Sequence, residues 1–137
     1  KKMSKSDTNA NAVVRVLGVP DSIVRKFKRA VTDSDGCVRA SADKPGVTNL
    51  MSIYSAFTDK SFEEIEREFD GVGYGAFKEA VAQSVVDGLR PIQTEYARIL
   101  ADKKYLDGVL KTGAERADRI AQRILSKVYR KVGFVQL

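Results

Sequence analysis

A chain of 137 residues, 43% apolar and 31% charged, is long enough for a domain with its own core and too apolar for a disordered tail. No apolar run could cross a bilayer and the positive start lacks an apolar signal core, so a cytoplasmic chain away from membranes is expected. Histidine is absent and Cys37 is the single cysteine, which excludes an intramolecular disulfide, a Cys/His zinc set and a histidine-activated nucleophile; no metal site is expected.

Residues 1–18 are predicted as a flexible loop and linker. Lys2, Met3, Ser4, Lys5 and Ser6, followed by Asp7 and Thr8, form a short polar run with no apolar period. Two ammonium groups three positions apart on flexible stems can follow a polyphosphate whose charge moves during reaction. The plain alternative is a solvated tail. Val13–Leu17 is apolar enough for a strand but has no partner strand, and is predicted as extended loop.

Gly18 and Pro20 punctuate, and proline in a first turn with Asp21 behind it suits a helix start. Ile23, Val24, Phe27 and Val31 follow a helical period, so a basic amphipathic helix is predicted to about Thr32. Asp33 to Gly46, with its aspartates, serines, glycines and Pro45, is predicted as loop. Val47, Leu50, Met51, Tyr54 and Phe57 then mark the buried face of a second helix. Ser61 and Glu64 form a capping box at the head of a short acidic third helix whose inner face is Phe62, Ile65 and Phe69. The glycines from Gly71 to Gly75 end it, with no preceding β run of the kind a dinucleotide-binding turn requires.

From Ala76 onward, Phe77, Val81, Val85, Leu89, Ile92, Tyr96 and Leu100 stay in one stripe through Pro91. One long, kinked helix is predicted, with two helices meeting near Gly88 as the alternative. Asp102 can cap a further segment with Tyr105, Leu106, Val109 and Leu110 inward, stopping about Thr112–Gly113. A last helix runs from there to Gly133, a suitable C-terminal cap. The predicted fold is all-α: a bundle of five or six helices over residues 19–137.

Residues 103–131 hold nine Lys or Arg against three acids, so the whole net charge of +6 resides there. Arg116, Arg119, Arg123, Lys127 and Arg130 step by three or four and fall in one stripe beside the apolar face. Glu115 and Asp118 lie on the other flank. A solvated helix ordinarily mixes its signs, so this segregation points to an anionic partner.

Lys2-Met3-Ser4-Lys5-Ser6 resembles, letter for letter, the KMSKS signature of class I aminoacyl-tRNA synthetases. Arg29-Ala30-Val31-Thr32-Asp33-Ser34, Lys44-Pro45-Gly46-Val47-Thr48-Asn49-Leu50, Ile53-Tyr54-Ser55-Ala56 and Gly73-Tyr74-Gly75 are similar, in the same order, to landmarks of the bacterial tryptophanyl-tRNA synthetase family. The resemblance runs from Lys2 to about Phe134. It departs at Thr8, where the family usually has proline, and at Thr48, where serine is commoner; Thr8 leaves the loop's exit less restricted.

The resemblance implies a ligase that activates tryptophan with ATP, carrying Mg2+ on the nucleotide, and transfers it to tRNA(Trp). It implies ATP binding by Lys2, Met3, Ser4, Lys5 and Ser6, with Lys5 stabilising charge on the pyrophosphate leaving group, and tRNA-anticodon contact in the helical region. It also implies a homodimer, formed mainly through a domain not in this sequence. The nucleotide-binding fold with its HIGH-like motif is not in these residues, so the chain reads as a fragment, inactive alone. A non-catalytic helical tRNA-binding module and a helical interaction domain are the alternatives.

Overall fold

The computed structural model describes residues 9–134; the expected ATP-binding run Lys2–Ser6 lies outside them. A single 3-10 turn, Ala10–Ala12, precedes five helices: α1 Pro20–Lys28, α2 Pro45–Thr58, α3 Phe62–Glu68, α4 Gly73–Ala101 and α5 Lys103–Val132. No strand occurs among the described residues, as the hydrophobic periods predict. The chain divides into two compact units between Thr94 and Glu95.

The first unit owns the core. Val47, Met51, Ile65, Phe77 and Val81 are fully buried on α2, α3 and α4, joined by Ile23 and Phe27 of α1. Each such side chain contributes about 1.5–3 kcal/mol relative to an exposed one. Tyr54, Phe69 and Phe77 meet edge to face, with centroids 5.5, 6.3 and 5.0 Å apart, which locks α2, α3 and the start of α4 to one another. The Ser61 capping box is present in both directions: Glu64 N–H donates to Ser61 Oγ at 3.3 Å, and Ser61 N–H donates to Glu64 Oε2 at 2.8 Å.

The structure corrects several boundaries. Helix α1 stops at Lys28 rather than near Thr32, and Val31, expected on its apolar face, is 83% exposed. The cause lies in α2. A Cβ at Gly46 would stand 2.2 Å from the Val31 carbonyl oxygen, so the backbone at Val31 crosses directly over the start of α2 and cannot continue as a helix. Pro45 and Gly46, expected in the loop, form the first turn of α2, where proline loses no intrahelical bond. Phe57 is 40% exposed rather than inward; its ring lies against the bare backbone of Gly88, whose Cβ would meet it at 2.4 Å.

Helix α4 begins three residues before Ala76 and runs unbroken through Pro91, so the alternative of two helices near Gly88 does not hold. Its inner stripe is buried as far as Leu89; Ile92, Tyr96 and Leu100 continue the period but are about half exposed. In the second unit, the break expected at Thr112–Gly113 is absent and α5 is one helix of 30 residues. Interior glycine costs only about 1 kcal/mol, which the helix-forming residues on either side offset. The termini were legible: Asp102 caps Tyr105 N–H at 2.9 Å, and Gly133 closes the helix in the left-handed region at φ 81°. Tyr105, Val109 and Leu110, expected inward, are exposed, and α5 buries no residue at all.

Candidate nucleic-acid interface

Helix α5 places Arg116, Arg119, Arg123, Lys127 and Arg130 on a common flank. At 100° per residue they occupy an arc of roughly 80°, spread over about 21 Å of axis at 1.5 Å per residue. All five are exposed, and among the described residues none has an ion-pair partner. Among the described residues, the one side-chain hydrogen bond any of them makes is Arg130 Nε donating to the Ser126 carbonyl at 3.4 Å. Their charge is therefore not neutralised within the fold. Arg119, Arg123 and Lys127 also border a shallow concavity floored by Ile120 and Ile124, so cations and exposed apolar surface lie side by side.

The flank is chemically suited to a row of phosphates. Guanidinium groups present planar forks of donors to an anion, and exposed cations release bound counterions when they meet a polyanion. Glu115 and Asp118 do not interrupt the row; Asp118 instead accepts from Gln122 Nε2 at 3.3 Å on the far side. Arg130 and Lys131 in the last turn also face the negative end of the helix dipole, which stabilises them there.

A second cluster, in the first unit, was not assembled from the sequence. Lys44 is only 4% exposed, the one buried charge among the described residues. Its ammonium group pairs with Asp35, lies 3.7 Å from Asp33, and donates to the Cys37 carbonyl at 3.1 Å. The Tyr74 hydroxyl lies 2.6 Å from Asp33, 2.9 Å from Asp35 and 3.0 Å from the Cys37 carbonyl. Asp33 and Asp35 also accept from the amides two residues on, and Gly36 takes the left-handed conformation that this tight turn requires.

Lys44, with the Cys37 amide and Tyr74 assisting, holds the Asp35 carboxyl well below the usual carboxylate range. Asp35 in turn raises Lys44, and burial beside the two carboxylates raises the Tyr74 phenol far above its usual value. Every donor here is already engaged, so the cluster fastens the 33–44 loop to α4 and leaves nothing for a ligand. Asp33, Lys44 and Tyr74 are each visible in the sequence motifs. Their meeting is not, because 41 residues separate Asp33 from Tyr74 and no local period connects them.

The chain spans the right landmarks for a synthetase, and comparison with known proteins agrees. Residues 1–90 match the family described as tRNA synthetases class I (W and Y), and the chain belongs to that family. More particularly, it is 47% identical over 98% of its length to the tryptophan–tRNA ligase of Clostridium tetani and 46% identical over the same share to that of Wolinella succinogenes. It covers 40% and 41% of those two proteins, so it spans about two fifths of their length. The crystal structure of tryptophanyl-tRNA synthetase from Mycoplasma pneumoniae superposes with a TM-score of 0.67 at 28% identity, over 98% of this chain and 41% of that one. The family match ends within α4, while the similarity to the ligases continues through α5.

Proposed function

We propose that this chain is the part of a tryptophan–tRNA ligase that carries the signature loop and a tRNA-binding helical region. In this reading residues 1–18 are loop and linker and residues 19–137 are the helical domain. The intact enzyme joins tryptophan to ATP, with release of pyrophosphate, and then passes the tryptophanyl group to the 3′ end of tRNA(Trp). It is a cytoplasmic enzyme, acts on Mg2+-bound nucleotide, and dimerises through residues outside this chain.

The observation that carries the proposal is the coincidence of two features in a chain of this family. One is the Lys2-Met3-Ser4-Lys5-Ser6 run; the other is the unpaired cationic flank of α5. Charge accumulates on the pyrophosphate as it leaves the α-phosphorus. Lys5 stabilises that charge with a donor that is most effective in the transition state, while Lys2, Met3, Ser4 and Ser6 bind the nucleotide. Arg116, Arg119, Arg123, Lys127 and Arg130 hold the tRNA backbone in register, which positions the substrate without reading its sequence.

Lys5→Ala in the complete enzyme tests the first half. Removal of one preorganised transition-state donor is expected to slow tryptophan-dependent ATP–pyrophosphate exchange by about 10²-fold or more, with a smaller change in tryptophan affinity. An unchanged exchange rate would rule out the role given to Lys5.

A further inference from the structure

The segment that leaves the signature loop, residues 13–18, crosses the first unit without being packed into it. Val14, Val16 and Leu17 are 36%, 49% and 51% exposed, and a cavity of about 610 Å3 separates Val14 and Val16 from core residues such as Phe27, Leu50 and Val85. What holds the segment is polar. Lys26 of α1 donates its ammonium group to the Val13 carbonyl. Gln93 of α4 donates its amide nitrogen to the Val16 carbonyl at 2.6 Å and to the Gly18 carbonyl at 3.1 Å. Between them a tight turn closes, with Gly18 N–H on the Arg15 carbonyl at 2.8 Å. A side chain at 18 would bring its Cβ to 2.9 Å from that same oxygen.

Both partners of Gln93 are acceptors, so only its NH2 group can serve them. The two bonds reach 77 and 75 residues back along the chain and tie residues 16–18 to the second half of a 29-residue helix. No local sequence feature requires glutamine here.

We propose that Gln93, assisted by Lys26, is a positioning residue for tryptophan activation: it fixes the segment that follows the Lys2–Ser6 run in the chain, without touching ATP. The inference rests on the role given to Lys5. With the strap fastened, the chain is held at Val13, Val16 and Gly18; with it released, the next helical anchor is Pro20. Loosening the point at which the chain is held lowers the rate of a reaction that depends on positioning, here by about threefold or more. Lost orientation of the two lysines adds to that loss.

The test substitutes Gln93→Glu, which sets an acceptor-only group against two carbonyls, and Gln93→Lys, which restores donors on a stem of similar length. Lys26→Met releases the other end of the strap and serves as an independent variant. In the complete enzyme, Gln93→Glu is expected to speed hydrogen exchange of the Gly18 amide and tryptic cleavage after Arg15 by roughly tenfold, the loss of two net hydrogen bonds. It is expected to lower kcat/KM for ATP in pyrophosphate exchange about threefold or more. The tryptophan KM and the protection of the Phe77 amide stay at their parent values, and Gln93→Lys recovers both losses.

A released strap with an unchanged ATP kcat/KM overturns the positioning role, and so does an unchanged Gly18 amide. Lys5→Ala, assayed alongside, separates the two ideas. If it slows exchange while Gln93→Glu and Lys26→Met leave the ATP kcat/KM at the parent value, the strap is only structural; if Lys5→Ala is itself without effect, the reading of the loop fails first.

Discussion

Gly46→Ala sets a methyl group 2.2 Å from the Val31 carbonyl oxygen, 3.2 Å from its carbon and 3.7 Å from the Thr32 Cα. All three are backbone atoms, so no side chain can swing aside to make room. Overpacking of this kind costs typically 1–3 kcal/mol, and a clash with backbone belongs at the upper end. Opposing it, alanine in place of glycine restricts the unfolded chain and favours α2 by about 0.4–1 kcal/mol. The net expectation is a loss of roughly 1–2 kcal/mol. The displaced atoms immediately precede Asp33, so the Lys44 cluster should loosen with them.

Gly75→Ala is the matched control, because nothing lies within 4 Å of its Cβ and it sits in the first turn of α4 with an ordinary backbone. It should be neutral or stabilising by up to about 1 kcal/mol. Urea dependence of hydrogen exchange at the buried Phe77 and Val81 amides reports the stability of this unit without interference from α5. If Gly46→Ala proves as stable as Gly75→Ala, the close crossing of residue 31 over α2 is wrong, and with it the reason given for the early end of α1.

The Asp35–Lys44 pair makes a prediction about pH. Asp35 is depressed in the fold, so its contribution is present above the unfolded value near 4 and is lost as pH falls through the lower folded value. Lys44 is raised, so its contribution is present below the unfolded value near 10.4 and is lost as pH rises past it through the folded value. The Tm gap between the parent and Asp35→Asn should therefore be flat from about pH 5 to 9 and narrow steadily as pH falls below about 4; a gap as wide at pH 2 as at pH 6 contradicts the pairing. In α5, Gly108 and Gly113 have open surroundings, so Gly108→Ala with Gly113→Ala should raise helicity measured by circular dichroism, each adding about 0.8–1 kcal/mol to helix stability. A drop in helicity would restore the break at Gly113 that the sequence suggests.

Periodicity located all five helices, and capping chemistry located the ends that a single local residue sets, at Ser61, Asp102 and Gly133. It failed where the cause of a helix end is a distant backbone. Val31 fits the helical stripe of α1, but Gly46, fifteen residues on, decides that the chain turns away. Gly113 resembles a stop signal, but one glycine in a 30-residue helix is a small penalty. The apolar residues of α5 were expected inward because amphipathic helices ordinarily bury that face, and nothing local distinguishes a stripe that is covered from one that is exposed.

The site was legible to different depths. The cationic flank follows directly from the spacing of Arg116, Arg119, Arg123, Lys127 and Arg130, and the structure adds that all five are exposed and unpaired. Tyr74 and Gln93 bond to residues 37 or more positions back in the chain, and Lys44 and Lys26 to residues in nearby irregular chain where no period marks the partner. Their signals were single letters inside motifs, or, for Gln93, no signal at all.

Whether α5 tracks RNA phosphate is decided by the ionic-strength dependence of tRNA(Trp) binding to the parent chain and to the Arg119→Gln, Arg123→Gln double variant. With three cations engaged, log K should fall with log salt at a slope of roughly −2 to −3 for the parent, and the double variant should flatten that slope by about 1.5. Both residues are fully on the surface, so the fold should be untouched, and a changed anticodon should alter the loss less than a change of salt does. A double variant that binds with the parent's affinity and the parent's slope would show that the flank is only a hydrated surface and that tRNA is held elsewhere.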